Sequence, residues 1–420
     1  MRRIIDWWEC CVTALEKRLR TDVRYLLSGT FWLTTGQVAS SLAVFAMGLA
    51  FANLLPKETY GTYKYLLSLA GLLSIFTLPG IAAALTRAVA RGYQGSFAEA
   101  TRTRIRYGFL GCAAGMCVAA YYAIAGNMTL AGGLVVISLF LPVFDTFGLY
   151  NSYLQGRQQF RVYVHLGLIM QIGSVALIII ATIMTRSLFV ILITYFASYA
   201  SLRYLAWRYV RKRFHPEGNT DPELISYGKH MTVMNLLSQL AGQADSILIF
   251  HFLGPTDLAL YAVDVAGPDQ IKNITGSVSD LLFPRLASQP EADVRRTILS
   301  KALLLVCAMA VIIAAYVLIA PFLYRLFFPH YHDSIFLSQL FALSMVNAFF
   351  SPFAVFLQAH GKVRELYAAN AGSSLFQVAA MTVGVLWFGL IGLVAARIAA
   401  RIVGGALNLL FFYVPLTKPA

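Results

Sequence analysis

From residue 29 to residue 413 the chain is filled by apolar stretches of membrane-spanning length, with basic residues in every second gap. About twelve stretches approach the roughly 20 residues that an α-helix needs to cross a hydrocarbon core. Only helices and closed barrels satisfy their backbone polar groups inside lipid, and stretches this long are helices. The spans run roughly over 30–54, 62–85, 107–125, 130–153, 162–184, 187–207, 231–253, 258–283, 302–324, 335–358, 366–387 and 390–413. The fold class expected is therefore an all-α polytopic membrane protein.

Lys and Arg cluster before span 1 and after spans 2, 4, 6, 8 and 10, whereas the other gaps are nearly free of them. Basic loops stay on the cytoplasmic side, so this bias orients the chain in a cytoplasmic (inner) membrane with both termini in the cytoplasm. One labelling prediction follows. A single cysteine at position 128, in a cysteine-free background, should react with an impermeant reagent added to intact cells, and one at 215 should not. The reverse pattern would invert the orientation.

Composition excludes several classes. The chain is 59% hydrophobic and 12% charged, against about 25% charged in soluble domains, so no large soluble domain is present. The net charge of +14 does not indicate nucleic acid, because most of the 33 Lys and Arg serve the topology pattern and face anionic lipid heads. The five cysteines form no CxxC and no Cys/His metal spacing. No nucleotide motif or nucleophile–base–acid set occurs in the loops, so no cofactor, metal or enzyme activity is expected. Residues 1–28 lack an apolar signal core, and no cleavable signal is expected there. Ile4, Trp8, Cys11, Val12, Leu15 and Leu19 share one helical face, which predicts an interfacial helix on the cytoplasmic leaflet.

The organisation is bipartite. A cytoplasmic N-terminal segment (1–28) precedes spans 1–6 (29–207). A loop rich in Pro, Gly and Asn (208–230) leads to spans 7–12 (231–413), and a tail (414–420) ends the chain. The segment after span 1, FANLLPKETYGTY, echoes the one after span 7, FHFLGPTDLALYA. Six spans per half is an even number, so the halves share orientation, as in transporters built from parallel repeats. Two pseudo-symmetric six-helix lobes facing a central cavity are expected.

Ionisable residues inside spans are costly and normally face a cavity or a partner. Arg397 and Arg401 stand at i and i+4 on one face of span 12. They suit a diphosphate through bidentate guanidinium contacts, or else an ion pair with an acid such as Asp245. Lys272 on span 8 has Asp269 three residues before it, after a Gly267–Pro268 kink signal, with Asp264 nearby. Asp245 on span 7 accompanies Asn235, Gln239 and Gln243, a polar set that points to a cavity. Gln37 gives span 1 a polar face, Lys64 lies near the outward end of span 2, and Asp145 on span 4 is a candidate for coupling to a proton or cation. The loop arginines Arg87, Arg91, Arg102, Arg104 and Arg106 read as interchangeable topology anchors.

The opening span TFWLTTGQVASSLAVFAMGLAFANLLPKETYGTY, the second span closing in TRAVAR, and span 7 as MNLLSQLAGQADSILIFHFLGPTDLALYAV resemble the polysaccharide-transport branch of the multidrug/oligosaccharidyl-lipid/polysaccharide (MOP) exporters, the O-antigen-type flippases. The resemblance implies that a polyprenyl-pyrophosphate-linked oligosaccharide is turned from the cytoplasmic to the outer leaflet for O-antigen, capsule or exopolysaccharide synthesis. The implied partners are that glycolipid, the membrane lipids and the polymerase and chain-length machinery. Lipid II flippases of the same superfamily usually carry two further spans, and this chain ends at PLTKPA after span 12. A drug or metabolite antiporter of the superfamily is the alternative. Such antiporters commonly carry a coupling acid in span 1, and spans 1–3 hold no Asp or Glu.

Overall fold

A computed structural model describes residues 23–271, 291–331 and 333–414, and all regular structure among them is helical. The interfacial helix expected over residues 1–24 lies almost wholly outside the described residues, as does Lys272.

In the first half, α1 (Val23–Leu54) is followed by α2 (Lys57–Leu73), a 3-10 turn (Ser74–Thr77) and α3 (Gly80–Ala90). Then come α4 (Ser96–Ile124), α5 (Met128–Phe144), α6 (Leu149–Gly156), α7 (Phe160–Thr185) and α8 (Leu188–Phe214). The second half holds α9 (Leu224–Phe252), α10 (Pro255–Asp264) and α11 (Glu291–Phe327). It continues with α12 (Ser334–Ala342), a 3-10 segment (Leu343–Phe350), α13 (Ser351–Ala359) and α14 (Val363–Tyr413).

Eight helical segments are long and apolar enough to cross a membrane, and α2 with α3, bent by 50° at Leu78–Pro79, form a ninth. Two more crossings come from physical detail. The 51-residue α14 is folded back at Gly389 (φ 61°, ψ −140°), a conformation open to glycine. Gly384 and Gly392 then meet so closely that a Cβ on either would fall within 2.5 Å of the other's carbonyl oxygen, so α14 is two antiparallel crossings. The 29-residue α9 is long enough to cross but carries the polar set of span 7. The described part of span 8, α10 and a helical turn over 266–271, brings the count to about twelve.

The two halves repeat their pairings. Span 1 packs on span 5 (α1 on α7), and span 7 packs on span 11 (α9 on the first arm of α14), where Gln377 Nε2 donates to Ala241 O at 2.9 Å. Spans 3 and 4 pair as α4 and α5, and spans 9 and 10 as α11 and α12. Between halves, α2 lies along α10 and α9, and α3 lies along α9. The two echoed segments meet in this seam. A Cβ on Gly61 would sit 1.8 Å from Pro255 O, and Asn53 Nδ2 donates to Phe327 O at 2.8 Å. Tyr65 stacks on Phe250 at 3.8 Å. Farther along, Gly80 N donates to Thr232 Oγ1 at 3.0 Å. Gly61→Ala should force α2 from α10 and cost about 1–3 kcal/mol, as overpacking does, with a lower unfolding temperature in detergent as readout. An unchanged unfolding temperature would mean that the seam adapts freely.

Two expectations change. Loop 208–230 shortens to 215–223, because RYVRKRF continues α8, placing Arg211, Lys212 and Arg213 in its last turn where they complement the helix dipole. The loop arginines are not equivalent. Arg102 and Arg106 are exposed, but Arg104 is buried, and it donates to Thr77 O (3.3 Å) and Asp145 O (3.0 Å). These carbonyls end the 3-10 turn of span 2 and cap α5, where helix breaks leave them without helical partners. Arg104→Ala should therefore cost about 1.5–3 kcal/mol, the worth of hydrogen bonds from a charged group, and lower the membrane level of the protein. Arg102→Ala should not. Equal immunoblot levels for both variants would return Arg104 to the anchors.

Candidate functional site

Two breaks in the helices, at spans 8 and 10, lie beside the charged groups of the second half. In span 8 the break falls at Val265, three residues before Pro268, whose ring removes a helical hydrogen bond and crowds the carbonyl four residues back. Asp269 follows on the next turn. In span 10 the helix tightens to 3-10 over Leu343–Phe350, bringing Ser344 to the same level.

Arg397 and Arg401 project from one face of the second arm of α14, as their spacing requires. Arg397 Nη1 donates to Asp245 Oδ2 at 2.6 Å and also bonds Tyr261 Oη, which itself donates to Asp245 Oδ2 at 2.8 Å. The remaining oxygen, Oδ1, accepts from Ser246 N at 2.8 Å. Spans 7, 8 and 12 are thus clasped by one buried acid. Arg401 Nη2 donates to Asp269 Oδ1 at 3.1 Å and Nη1 to Ser344 Oγ at 2.5 Å. The ring of Phe341 lies 5.1 Å from the Arg397 guanidinium and 4.7 Å from that of Arg401, so one aromatic face serves both cations.

The Arg401–Asp269 pair separates two cavities. On one side is a space of about 410 Å³ inside the second half, bounded by Arg401, Ser344, Asn347, Asn370, Gln377 and Asn408 among others. On the other is a smaller space of about 160 Å³ between the halves, where Asp269 faces Lys64, Tyr60 and Gln270. The Lys64 ammonium stands 5.6 Å from the Tyr60 ring centre. Among the described residues, three cations (Lys64, Arg397, Arg401) here meet two carboxylates (Asp245, Asp269).

The other sequence candidates lie elsewhere. Gln239 Nε2 bridges the seam to Gly71 O (3.1 Å) and Ser74 Oγ (3.0 Å), satisfying groups at the break in span 2. Gln37 reaches only Ser41 of its own helix, at 3.5 Å. Asp145 belongs to the first half, where Arg203 Nη1 donates to its carboxylate at 3.4 Å and to Phe144 O at 2.7 Å. Arg104 and Arg203 thus hold the α5–α6 break, with Asp145 between them. Asp264 is fully buried and lines neither cavity. Asp269 engages Arg401, and Lys272, the partner expected on its own helix, lies outside the described residues. Tyr261, Phe341 and Ser344 were not singled out by the sequence. Tyr261 had one signal, its place in the echoed segment. Phe341 and Ser344 look like any apolar-span residues until the fold brings them to the arginines.

Known structures share this architecture. The chain is similar to a multidrug resistance MATE family transporter of the MOP superfamily in an inward-facing conformation, with TM-score 0.61 and 13% identity, covering 89% of this chain and 94% of that one. It is similar to the lipid II flippase MurJ in an inward closed conformation, with TM-score 0.64 and 13% identity, covering 94% of this chain and 88% of that one. An outward-facing MATE transporter aligns with TM-score 0.56 and 14% identity, over 92% of this chain and 95% of that one. At this identity the likeness concerns the fold. No curated protein sequence matches the chain. The family model for polysaccharide biosynthesis proteins matches residues 26–288, well over half of the sequence and across the seam between its halves. With its paired helices and its charges placed at helix breaks, the chain belongs to the polysaccharide biosynthesis protein family of multi-pass membrane proteins, on a MOP-type fold.

Proposed function

We propose that the chain is a flippase that carries a polyprenyl-pyrophosphate-linked oligosaccharide from the cytoplasmic to the outer leaflet of the inner membrane by alternating access, for surface polysaccharide synthesis. The observation that carries this reading is Arg401. Its guanidinium stands in the wall between two cavities and is held by a single half-exposed carboxylate and a hydroxyl. A diphosphate entering the larger cavity, which Arg401 borders, can take the place of Asp269 with two parallel hydrogen bonds. The local excess of one positive charge offsets part of the desolvation of the anion. Arg397, already paired with Asp245 and Tyr261 through Nη1, shapes the site from behind. The amides and hydroxyls around the larger cavity offer hydrogen bonds to sugar hydroxyls.

The family description and the flippase neighbour support a cargo of this class, and the cationic surplus disfavours organic cations. The test is complementation of a strain that lacks its own polysaccharide flippase but keeps the matching glycosyltransferases. Surface polysaccharide should return, and sensitivity to cationic drugs should not change. Drug resistance without polysaccharide would move the assignment to an antiporter.

A further inference from the structure

Asp264 ends α10 at the break in span 8, and it is a buried acid that the transport site does not use. Its exposure is 0%, and neither carboxylate oxygen has a hydrogen-bond partner among the described residues. The hydroxyl of Ser334 on α12, beside it, is likewise buried without a partner.

No cation faces it. From α11 it meets Tyr316 and Tyr324, whose hydroxyls are committed to Ser338 Oγ (2.6 Å) and Val263 O (2.8 Å). From α12 it meets Ser334 only. On α2, Lys64 lies over Tyr60 in the space it shares with Asp269, Lys57 lies over Tyr331, and Glu58 is exposed. On α9, Asp245 is held by Arg397, and His251 is exposed. The part of α1 over Thr35–Leu54 has no ionisable residue. Asp269, one turn onward, is taken by Arg401.

A carboxylate in such a place would have lost its water and gained at most the neighbouring Ser334 hydroxyl with no described cation, and buried acids in this position neutralise instead.

We infer that Asp264 with Ser334 forms a proton-binding site of the second half. The carboxyl holds one proton in the arrangement seen here and releases it when α10 parts from α12 and water reaches the break. Uptake and release interconvert carboxylate plus proton and carboxylic acid, with no other reactant. The site lies outside both cavities and does not depend on the identity of the cargo. Linked to a rearrangement at the span 8 break, it would let proton binding bias the conformational equilibrium.

Infrared spectroscopy of the purified full chain in lipid nanodiscs tests the proton directly. At neutral pH the wild type should show the carbonyl stretch of a protonated carboxylic acid. The band should shift when aspartate carries a heavy carbon isotope at its carboxyl group, a measurement that needs no variant. It should vanish in Asp264→Asn and persist in Asp269→Asn. Absence of the band in wild type, or its survival in Asp264→Asn, overturns the proposal. The link to movement is read in a cysteine-free background carrying Ser334→Cys. Labelling by a membrane-permeant maleimide should rise with pH several-fold more with Asp264 present than with Asp264→Asn added, the second background correcting for thiol ionisation. Equal rises in the two backgrounds would mean that loss of the proton does not open the contact.

Discussion

Asp245→Ala is expected to lower the stability of the detergent-solubilised protein by about 3–5 kcal/mol, because removing one partner of a buried ion pair strands the other charge. The stranded group is Arg397, whose Nη1 finds both Asp245 Oδ2 and Tyr261 Oη in the clasp of spans 7, 8 and 12. The acid is 6% exposed, so water does not replace the lost carboxylate. Tyr261 loses its acceptor in the same step. The double variant Asp245→Leu/Arg397→Met removes both charges and should recover most of the loss, since apolar replacement of a whole buried pair is often neutral or stabilising. Unfolding curves for the two variants and the wild type measure this. If Asp245→Ala unfolds with the wild type, Arg397 has another partner and the clasp is not what joins the three spans. This result also separates the arginines. Arg397→Ala is expected to reduce membrane levels, because it strands the buried Asp245.

Arg401→Ala, in contrast, is expected to abolish export of the glycolipid while the protein remains in the membrane at normal amounts. The freed Asp269 is 32% exposed in its side chain and borders a cavity, so water can solvate it and the structural cost is modest. Arg401→Lys keeps the charge but loses the planar fork that matches two phosphate oxygens, and should retain only part of the activity. Surface polysaccharide in a flippase-null strain is the readout, with immunoblotting for protein level. Full export by Arg401→Ala would remove this residue from the path of the anion and leave it as an ion-pair partner of Asp269.

Much of the architecture was legible because a bilayer is an unforgiving solvent. A run of about 20 apolar residues has one stable solution in lipid, so the approximate number and positions of the spans follow from hydropathy. The fold-back at 387–389 was readable for the same reason, and the structure places it at Gly389. The equivalence of the two halves was visible in FANLLPKETYGTY and FHFLGPTDLALYA, whose prolines both open a helix at the seam. The i, i+4 spacing of Arg397 and Arg401 set their common face, since helical geometry is local.

What the tertiary structure decided is which charge meets which. Asp245, Asp264 and Asp269 look alike in the sequence, each a single acid in an apolar span. In the fold they have three fates: one locked to Arg397, one buried without a partner, and one shared between Arg401 and a cavity. Arg104 reads as one of five loop arginines, yet it alone of the five reaches Thr77 O and Asp145 O, because α4 starts at Ser96 and carries it inward. Partners such as Ser344 and Arg401 are 57 residues apart in the chain. Hydropathy and helical periodicity act over one or two turns and fix where each span begins and which face it presents. The pairing of charges depends on rotation and depth of packed helices, which are set by contacts between spans far apart in sequence.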